Sequence, residues 1–380
     1  MNPEELLAEL DEMDFDYFID SMLDNVPDKL DKREGSVIYD AMAPAATELA
    51  DETIRLKTII KETYTSTADG EFLDLKAQEK GTVRQAATYA QVTVKFLDAD
   101  GKTIENVDIN DRFASLGDEP IFYYVKRIND DKTGLLVAEE VGTRANGYLG
   151  QILPVTPNDT LSWAEITEIS VPARDEEDDE HLRERLLSPS NWVAYGGNVA
   201  DYQDMLGKLD IVGAGQIYPA WQGGSTVKLV ILDNKLMPAS EELLKQVKEA
   251  IDPPKDGEGY GLAPIGHDVT VIAPEKVTVD ITTKVEVDPQ KTLEQLTPLI
   301  QKAIEGYFQK RREDWDNVDT KTGRGYSLSI YRSQLLSEIM KVEGVVNTTL
   351  PTLNGLESDL AMVFNEEKSQ LPVVGEVSLA

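Results

Sequence analysis

Residues Ser36 to Tyr64 read SVIYDAMAPAATELADETIRLKTIIKETY, and the spacing inside this stretch sets the organisation of the whole N-terminal region. Ile38, Met42, Ala45, Leu49, Glu52, Leu56, Ile59 and Thr63 recur at alternating intervals of four and three, the pattern of a long helix carrying a seam for another helix. Glu52 interrupts the apolar stripe. Pro44, inside a helix, costs about 3 kcal/mol unless it kinks the helix or opens it, and the sequence allows either. An arm of this kind cannot bury its stripe against itself. It packs on another chain or on the segment Asp69 to Lys80 of its own. Upstream, Leu6, Leu10, Met13 and Tyr17 repeat the same spacing and predict a shorter amphipathic helix.

Beyond Ala87 the period changes. Val92, Val94 and Phe96 alternate with polar residues before the turn Asp98-Ala99-Asp100-Gly101, which reads as a strand entering a hairpin. Ile121 to Ile128, Leu135 to Glu139 and Glu165 to Val171 are further strand candidates, separated by turn clusters such as Asn129-Asp130-Asp131-Lys132. The acidic run Asp175 to Glu180 leads into Leu182, Leu186 and Leu187, placing carboxylates at the positive end of a helix. A second helix starts with Asn198 as its N-cap. Strands at Ala214 to Tyr218 and Thr226 to Leu232, a helix from Ser240 to Ile251 and a strand at Asp268 to Ala273 complete a compact α+β unit.

The last region repeats that logic, with a strand at Val277 to Val287, helices at Leu293 to Gln309 and Ser333 to Lys341, strands near Val345 and Leu360, and a peripheral tail after Glu366. The fold expected is therefore a multidomain α+β protein: a helical arm (1–85), a small β-rich domain (86–172) and two successive α+β domains (173–275 and 276–380). At 380 residues, several partly independent cores are the natural arrangement.

Seventy acidic against 37 basic residues give a formal charge of −33, which disfavours nucleic acid or an anionic membrane as partner. Such acidity keeps a chain soluble and from associating too early, or steers it toward basic partners. With no cysteine, disulfides, thiolate zinc sites and cysteine nucleophiles are excluded. The start Met1-Asn2-Pro3-Glu4-Glu5 lacks the positive region of a signal peptide. The uncharged run between Ile211 and Lys228 is broken by Gly213, Gly215, Pro219, Gly223 and Gly224, so no membrane insertion is expected.

Little catalytic chemistry is legible. His181 and His267 are the two histidines; both read as ordinary surface or strand-start residues. GxxxxGK[ST], HExxH and GxSxG are all missing from the sequence. Asp98-x-Asp100-Gly101 departs from a calcium loop, with Lys102 at the fifth position and Ile109 at the twelfth. Asp256 to Gly261 is glycine-rich but precedes Pro264 and a strand, so it reads as a flexible connection rather than a phosphate cradle. Glu313-Asp314-Trp315-Asp316 offers paired carboxylates of the kind a glycosidase uses, though pairs of this sort arise by chance among 70 acids. The adjacent Lys310-Arg311-Arg312 reads as a solvated helix end. No catalytic residue, metal ligand or cofactor is assigned.

Several segments, in order, resemble the Baseplate J family of contractile phage tails and phage-like particles, nearest to the version in defective prophages of Gram-positive bacteria. They are Arg33 to Asp40 with Ala43-Pro44-Ala45, Thr67 to Asp74, Gly81 to Arg84, Asp178 to Arg185, Tyr195 to Tyr202, Pro219 to Val227, Ala263 to Gly266 and Thr352 to Gly355. Ala173-Arg174 replaces the Gly-Gly pair that often precedes the acidic linker in that family. The resemblance implies a non-enzymatic wedge subunit, present as two copies per wedge and joined into a six-fold ring around the central hub. Its partners would be a second copy of itself, other wedge proteins, the sheath initiator, the hub or spike and the tail-fibre network. It would be made and assembled in the host cytoplasm and would reside in the baseplate. On this reading Ile38, Met42, Leu49, Leu56 and Ile59 form the inter-subunit bundle. A tail-associated cell-wall hydrolase or carbohydrate-binding module is the alternative.

Overall fold

A computed structural model describes residues 3–104, 106–187, 195–254, 257–319 and 325–380. The chain divides into two compact units, one of residues 1–86 and 176–191, the other of residues 87–175 and 192–380.

In the first unit α1 (Pro3–Asp11) and α2 (Phe15–Asp24) both pack along α3 (Val37–Thr63). The single N-terminal helix expected from Leu6, Leu10, Met13 and Tyr17 is thus two. The break falls at Asp14, whose carboxylate accepts the Tyr17 N–H at 3.0 Å and makes it the N-cap of α2. A short acceptor on the side chain competes with continued helix for the same backbone donors. α4 (Gly70–Glu79) does not complete a core with the α3 stripe. It pairs with α5 (Asp179–Leu187), burying Ala68, Leu73 and Ala77 against Leu182 and Leu186. The acidic helix start, read in sequence as opening the α+β region, therefore docks on a segment a hundred residues earlier.

The second unit opens with a closed barrel of β1 (Tyr89–Leu97), β2 (Arg112–Ser115), β3 (Phe122–Ile128), β4 (Gly134–Val141), β5 (Gly150–Pro154) and β6 (Trp163–Val171). The order around it is β1-β4-β3-β2-β5-β6, with antiparallel pairing throughout. Closure leaves no edge strand to template unwanted pairing. Alternate residues of each strand fill the interior, Val92, Val94, Phe96, Phe113, Tyr123, Leu136, Ile152 and Ile166 among them. Gly134 is required there, because a Cβ would lie 2.6 Å from the Phe96 ring. β2 and β5 were not legible in the sequence: each is short, and each has one buried bulky residue or two at most.

An α+β domain follows, with α6 (Val199–Gly207), β7 (Ala214–Pro219), β8 (Thr226–Leu232), α7 (Glu241–Ile251) and β9 (Asp268–Ile272). The sheet order is β7-β8-β9, β7 antiparallel and β9 parallel to β8. Asn198 caps α6 by accepting the Asp201 N–H at 2.8 Å, as its place before the apolar run predicts. α7 is moored to the barrel by Arg127–Glu242 at 2.7 Å and Gln246–Gln91 at 2.9 Å.

The final domain contains β10 (Glu275–Thr283), β11 (Val285–Val287), α8 (Leu293–Glu313), β12 (Val318–Asp319), β13 (Gly325–Tyr326), β14 (Ser329–Ile330), α9 (Arg332–Met340), β15 (Val345–Thr348), β16 (Thr352–Leu353), β17 (Leu360–Ala361) and β18 (Gln370–Leu379). The strand expected over Val277 to Val287 changes partner at Lys284: β10 pairs with β16 and β18, β11 with β15. The residues after Glu366 are no peripheral tail. β18 runs parallel to β10 along its length and buries Leu371 completely. A run reading Leu-Pro-Val-Val-Gly gives no alternation because one end is covered on both faces, and Gly375 fits where Asp280 leaves no room for a Cβ. Arg312 also departs from the solvated helix end expected of it. It is 4% exposed and pairs with Glu305 at 2.7 Å.

Candidate protein interface

α3 begins where Ser36 accepts the Tyr39 N–H at 3.2 Å, and it continues without interruption through Pro44 to Thr63. Pro44 therefore neither starts nor ends the helix. Thr47, Thr53, Thr58 and Thr63 each donate a hydroxyl hydrogen bond to the carbonyl four residues back. These bonds occupy the hydroxyl groups locally along the helix.

One face of α3 is covered within the chain, with Ala46 and Thr53 buried and Tyr39, Ala50, Lys57 and Ile60 half-buried. Lys57 reaches Asp11 of α1. Small side chains let α1 and α2 approach closely, and the lysine stem adds apolar cover while its ammonium finds a carboxylate. The seam read from sequence lies on an adjacent face. Leu49, Leu56 and Ile59 are 42%, 52% and 62% exposed; Ile38 and Met42, nearer the helix start, are half-buried. The structure thus brings Leu49, Leu56 and Ile59 together as an uncovered stripe, while Ile38 and Met42 are partly used inside the chain. The covered face escaped the sequence reading because Ala46, Ala50, Thr53 and Lys57, which make up most of it, give a weaker apolar signal than the leucines and isoleucines of the seam; their spacing of four, three and four was the available sign.

The segments quoted for the family resemblance do architectural work in this unit. Arg84 donates to Asp74 at 2.8 Å, to Asp179 at 2.7 Å and to the Glu177 carbonyl at 2.8 Å. Asp179 also accepts the Gly70 N–H at 2.9 Å, and this bond, together with Arg84, holds its carboxyl below the usual carboxylate range. Arg183 donates to Asp69 and to the Ala68 carbonyl. For Glu177, burial works to raise the pKa, but Arg185 and the Gln85 N–H outweigh it and the net shift is downward. Thr67–Asp74, Gly81–Arg84 and Asp178–Arg185, far apart in sequence, form one charged clamp around the α4–α5 pair.

The remaining segments shape turns in the second unit. Gly197 has φ +85° and lies against His267 and Pro264, where a Cβ would meet both at 2.8 Å. The His267 ring stacks on Tyr202 and its Nδ1 lies 2.8 Å from the tyrosine hydroxyl. Asn354, at φ +50°, exchanges hydrogen bonds with the Asp280 backbone.

The sequence features with a possible chemical reading are spent on structure. Asp98 accepts the N–H groups of Asp100 and Lys102, both at 2.9 Å, closing a hairpin turn. His181 pairs with Asp178 at the start of α5. Of the glycine-rich loop, Asp256 lies outside the described residues; the Gly257 N–H is accepted by the Asp252 carboxylate at 3.1 Å. Asp314 pairs with Arg311 at 2.9 Å, whereas Asp316 turns to the Gly215 N–H at 3.3 Å and the intervening Trp315 is fully buried. The two carboxylates are engaged separately rather than facing one cleft. Among the described residues no group of three or more His, Asp or Glu side chains is placed to hold a metal ion, and no helix is long and apolar enough to cross a membrane.

Comparison with known proteins bears on this arrangement directly. The Baseplate J-like central domain matches residues 194–273, and the Baseplate J-like protein C-terminal domain matches residues 279–380. The chain is 33% identical over 367 residues to the uncharacterized protein YqbT of Bacillus subtilis (strain 168), covering 96% of this chain and 97% of that protein. It is 32% identical, with the same coverage, to the phage-like element PBSX protein XkdT of the same organism. The cryo-EM structure of the anti-feeding prophage baseplate, 6-fold symmetrised, is matched over 94% of this chain and 90% of that one at 10% identity and a TM-score of 0.38, too loose a likeness to carry an argument. With two matched domains and full-length relatives at this identity, the chain belongs to the Baseplate J-like family of structural proteins of the phage-tail baseplate.

Proposed function

We propose that this chain is a wedge subunit of a contractile-tail baseplate, which links wedges into a ring around the central hub and passes on the trigger for sheath contraction. The observation that carries this reading, beside family membership, is the stripe of Leu49, Leu56 and Ile59, left uncovered on a 27-residue helix whose other face is already packed. Exposed apolar side chains aligned along one helix are a binding surface in search of a helical partner. A second copy of this chain is the first partner. Other wedge proteins, the sheath initiator, the hub and the tail-fibre network follow from the same role. The role is mechanical rather than enzymatic, and assembly takes place in the host cytoplasm before the particle is released. The separate engagement of Asp314 and Asp316 gives the hydrolase alternative no support.

The test is co-expression of the full chain with the tail proteins encoded beside it, followed by size-exclusion chromatography with light scattering. A stable complex containing two copies of the chain, lost on removal of residues 1–65, is expected. A monomer that associates with none of those proteins would overturn the proposal.

A further inference from the structure

The two matched domains are joined by Ala273-Pro274 alone, between the end of β9 and the start of β10. Domains connected within one chain ordinarily move relative to each other unless a large apolar interface holds them. Here one core is shared. Tyr218, Val230 and Leu232 of the first domain pack with Trp315, Leu328, Met362 and Leu371 of the second. A polar network runs through the same place. Gln216, fully buried, donates to the Trp315 carbonyl at 2.6 Å and accepts from the hydroxyls of Tyr218 and Ser369, both at 2.7 Å. Trp315 donates its indole N–H to the Gln370 carbonyl at 2.8 Å. Lys228, 1% exposed, sits 4.3 Å from the Tyr218 ring centre and gives its ammonium hydrogens to the Asn365 and Glu366 carbonyls. The outer edge of β7 is closed in the same way: the Gly215 N–H goes to Asp316 and the Ile217 N–H to the Tyr326 hydroxyl at 2.7 Å.

We infer that the described residues between 195 and 380 form one rigid lever, in which the central and C-terminal domains are fastened by the Gln216–Trp315–Lys228 network and its surrounding core, so that no hinge operates at Ala273-Pro274. Sliding one domain past the other breaks several buried hydrogen bonds at once, each costly to leave unmade, which favours the one arrangement seen. Wherever the baseplate rearranges, this junction keeps its geometry. The inference concerns the free chain as well as the assembly, so it stands or falls independently of the wedge role.

The absence of cysteine makes the test direct. Glu249→Cys on α7 and Glu294→Cys on α8, both at exposed positions, accept a pair of spin labels in the full chain. A single narrow distance distribution is expected in the free protein, unchanged on co-assembly with the other tail proteins; a broad or two-peaked distribution, or a shifted peak in the complex, would overturn the inference. In the same labelled chain Gln216→Ala and Lys228→Met are each expected to broaden the distribution while helix content by circular dichroism stays constant. A distribution as narrow as that of the parent in both variants would show that the network is not the fastener.

Discussion

Replacing Leu49 and Leu56 together by aspartate tests the stripe on α3 most sharply. Both side chains are about half exposed in the chain by itself. Moving a whole leucine from water into an apolar contact gains about 1.5–3 kcal/mol, so covering the exposed half gains about 1 kcal/mol per side chain. Two leucines on each of two paired helices then contribute about 4 kcal/mol, or about a thousandfold in Kd. Aspartate removes that gain and adds charge to the contact, whereas in the free chain the same positions face solvent and stability should change by less than about 0.5 kcal/mol. The assay is light scattering on the purified variant and recovery of the complex on co-expression. Ile54→Asp is the control for the face: Ile54 is as exposed as Ile59 but lies away from the stripe, and its replacement should leave association intact. Normal assembly by the Leu49→Asp, Leu56→Asp variant would refute the reasoning, as would equal loss from the Ile54→Asp control.

The charged clamp of the first unit makes its own predictions. Arg84→Met should destabilise that unit by about 2–3 kcal/mol, because three acceptors lose a charged donor; faster amide exchange across residues 70–86 and 177–187 would report it, and unchanged exchange would contradict it. Asp179 and Glu177 have folded pKa values below those of the unfolded chain. Their contribution is therefore fully present above the ordinary carboxylate range near about pH 4 and is lost as pH falls through the depressed values. Urea midpoints for the first unit should drop on acidification over that window, and an Arg84→Met chain should show a shallower drop. In the barrel, Gly134→Ala forces a methyl group against Phe96 and is expected to cost about 1–3 kcal/mol, measurable as a lowered thermal midpoint without change of secondary structure.

Much of the architecture was legible from local pattern. The long helix, the switch to period two at Val92, Val94 and Phe96, the Asn198 cap and the succession α6-β7-β8-α7-β9 all depend on spacings within about twenty residues, and local rules suffice to read them. The stripe on α3 was legible in the same way, since residues spaced at four and three cannot be buried by their own helix. The segments shared with the Baseplate J family could be recognised in the sequence, but not what they do. That Asp74, Arg84 and Asp179 meet in one clamp, and that Gly197 makes room for His267, depends on contacts between residues up to a hundred positions apart.

By itself, then, the sequence determined the class of the fold, the strong acidity, the absence of thiol chemistry and the helix that carries an uncovered seam, since each of these is a property of composition or of periodicity along the chain. Tertiary structure alone decided which face of α3 the chain keeps for itself, where the barrel closes through the short strands β2 and β5, that the last ten-residue strand is core rather than tail, and that two successive domains share one interior. Each of those outcomes turns on side chains whose burial is conferred by a distant partner: Ala46 by α1 and α2, Leu371 by β10 and the Trp315 core, Lys228 by the carbonyls of Asn365 and Glu366. A residue's own neighbours in sequence carry no record of such a partner, because burial is a property of the packed whole.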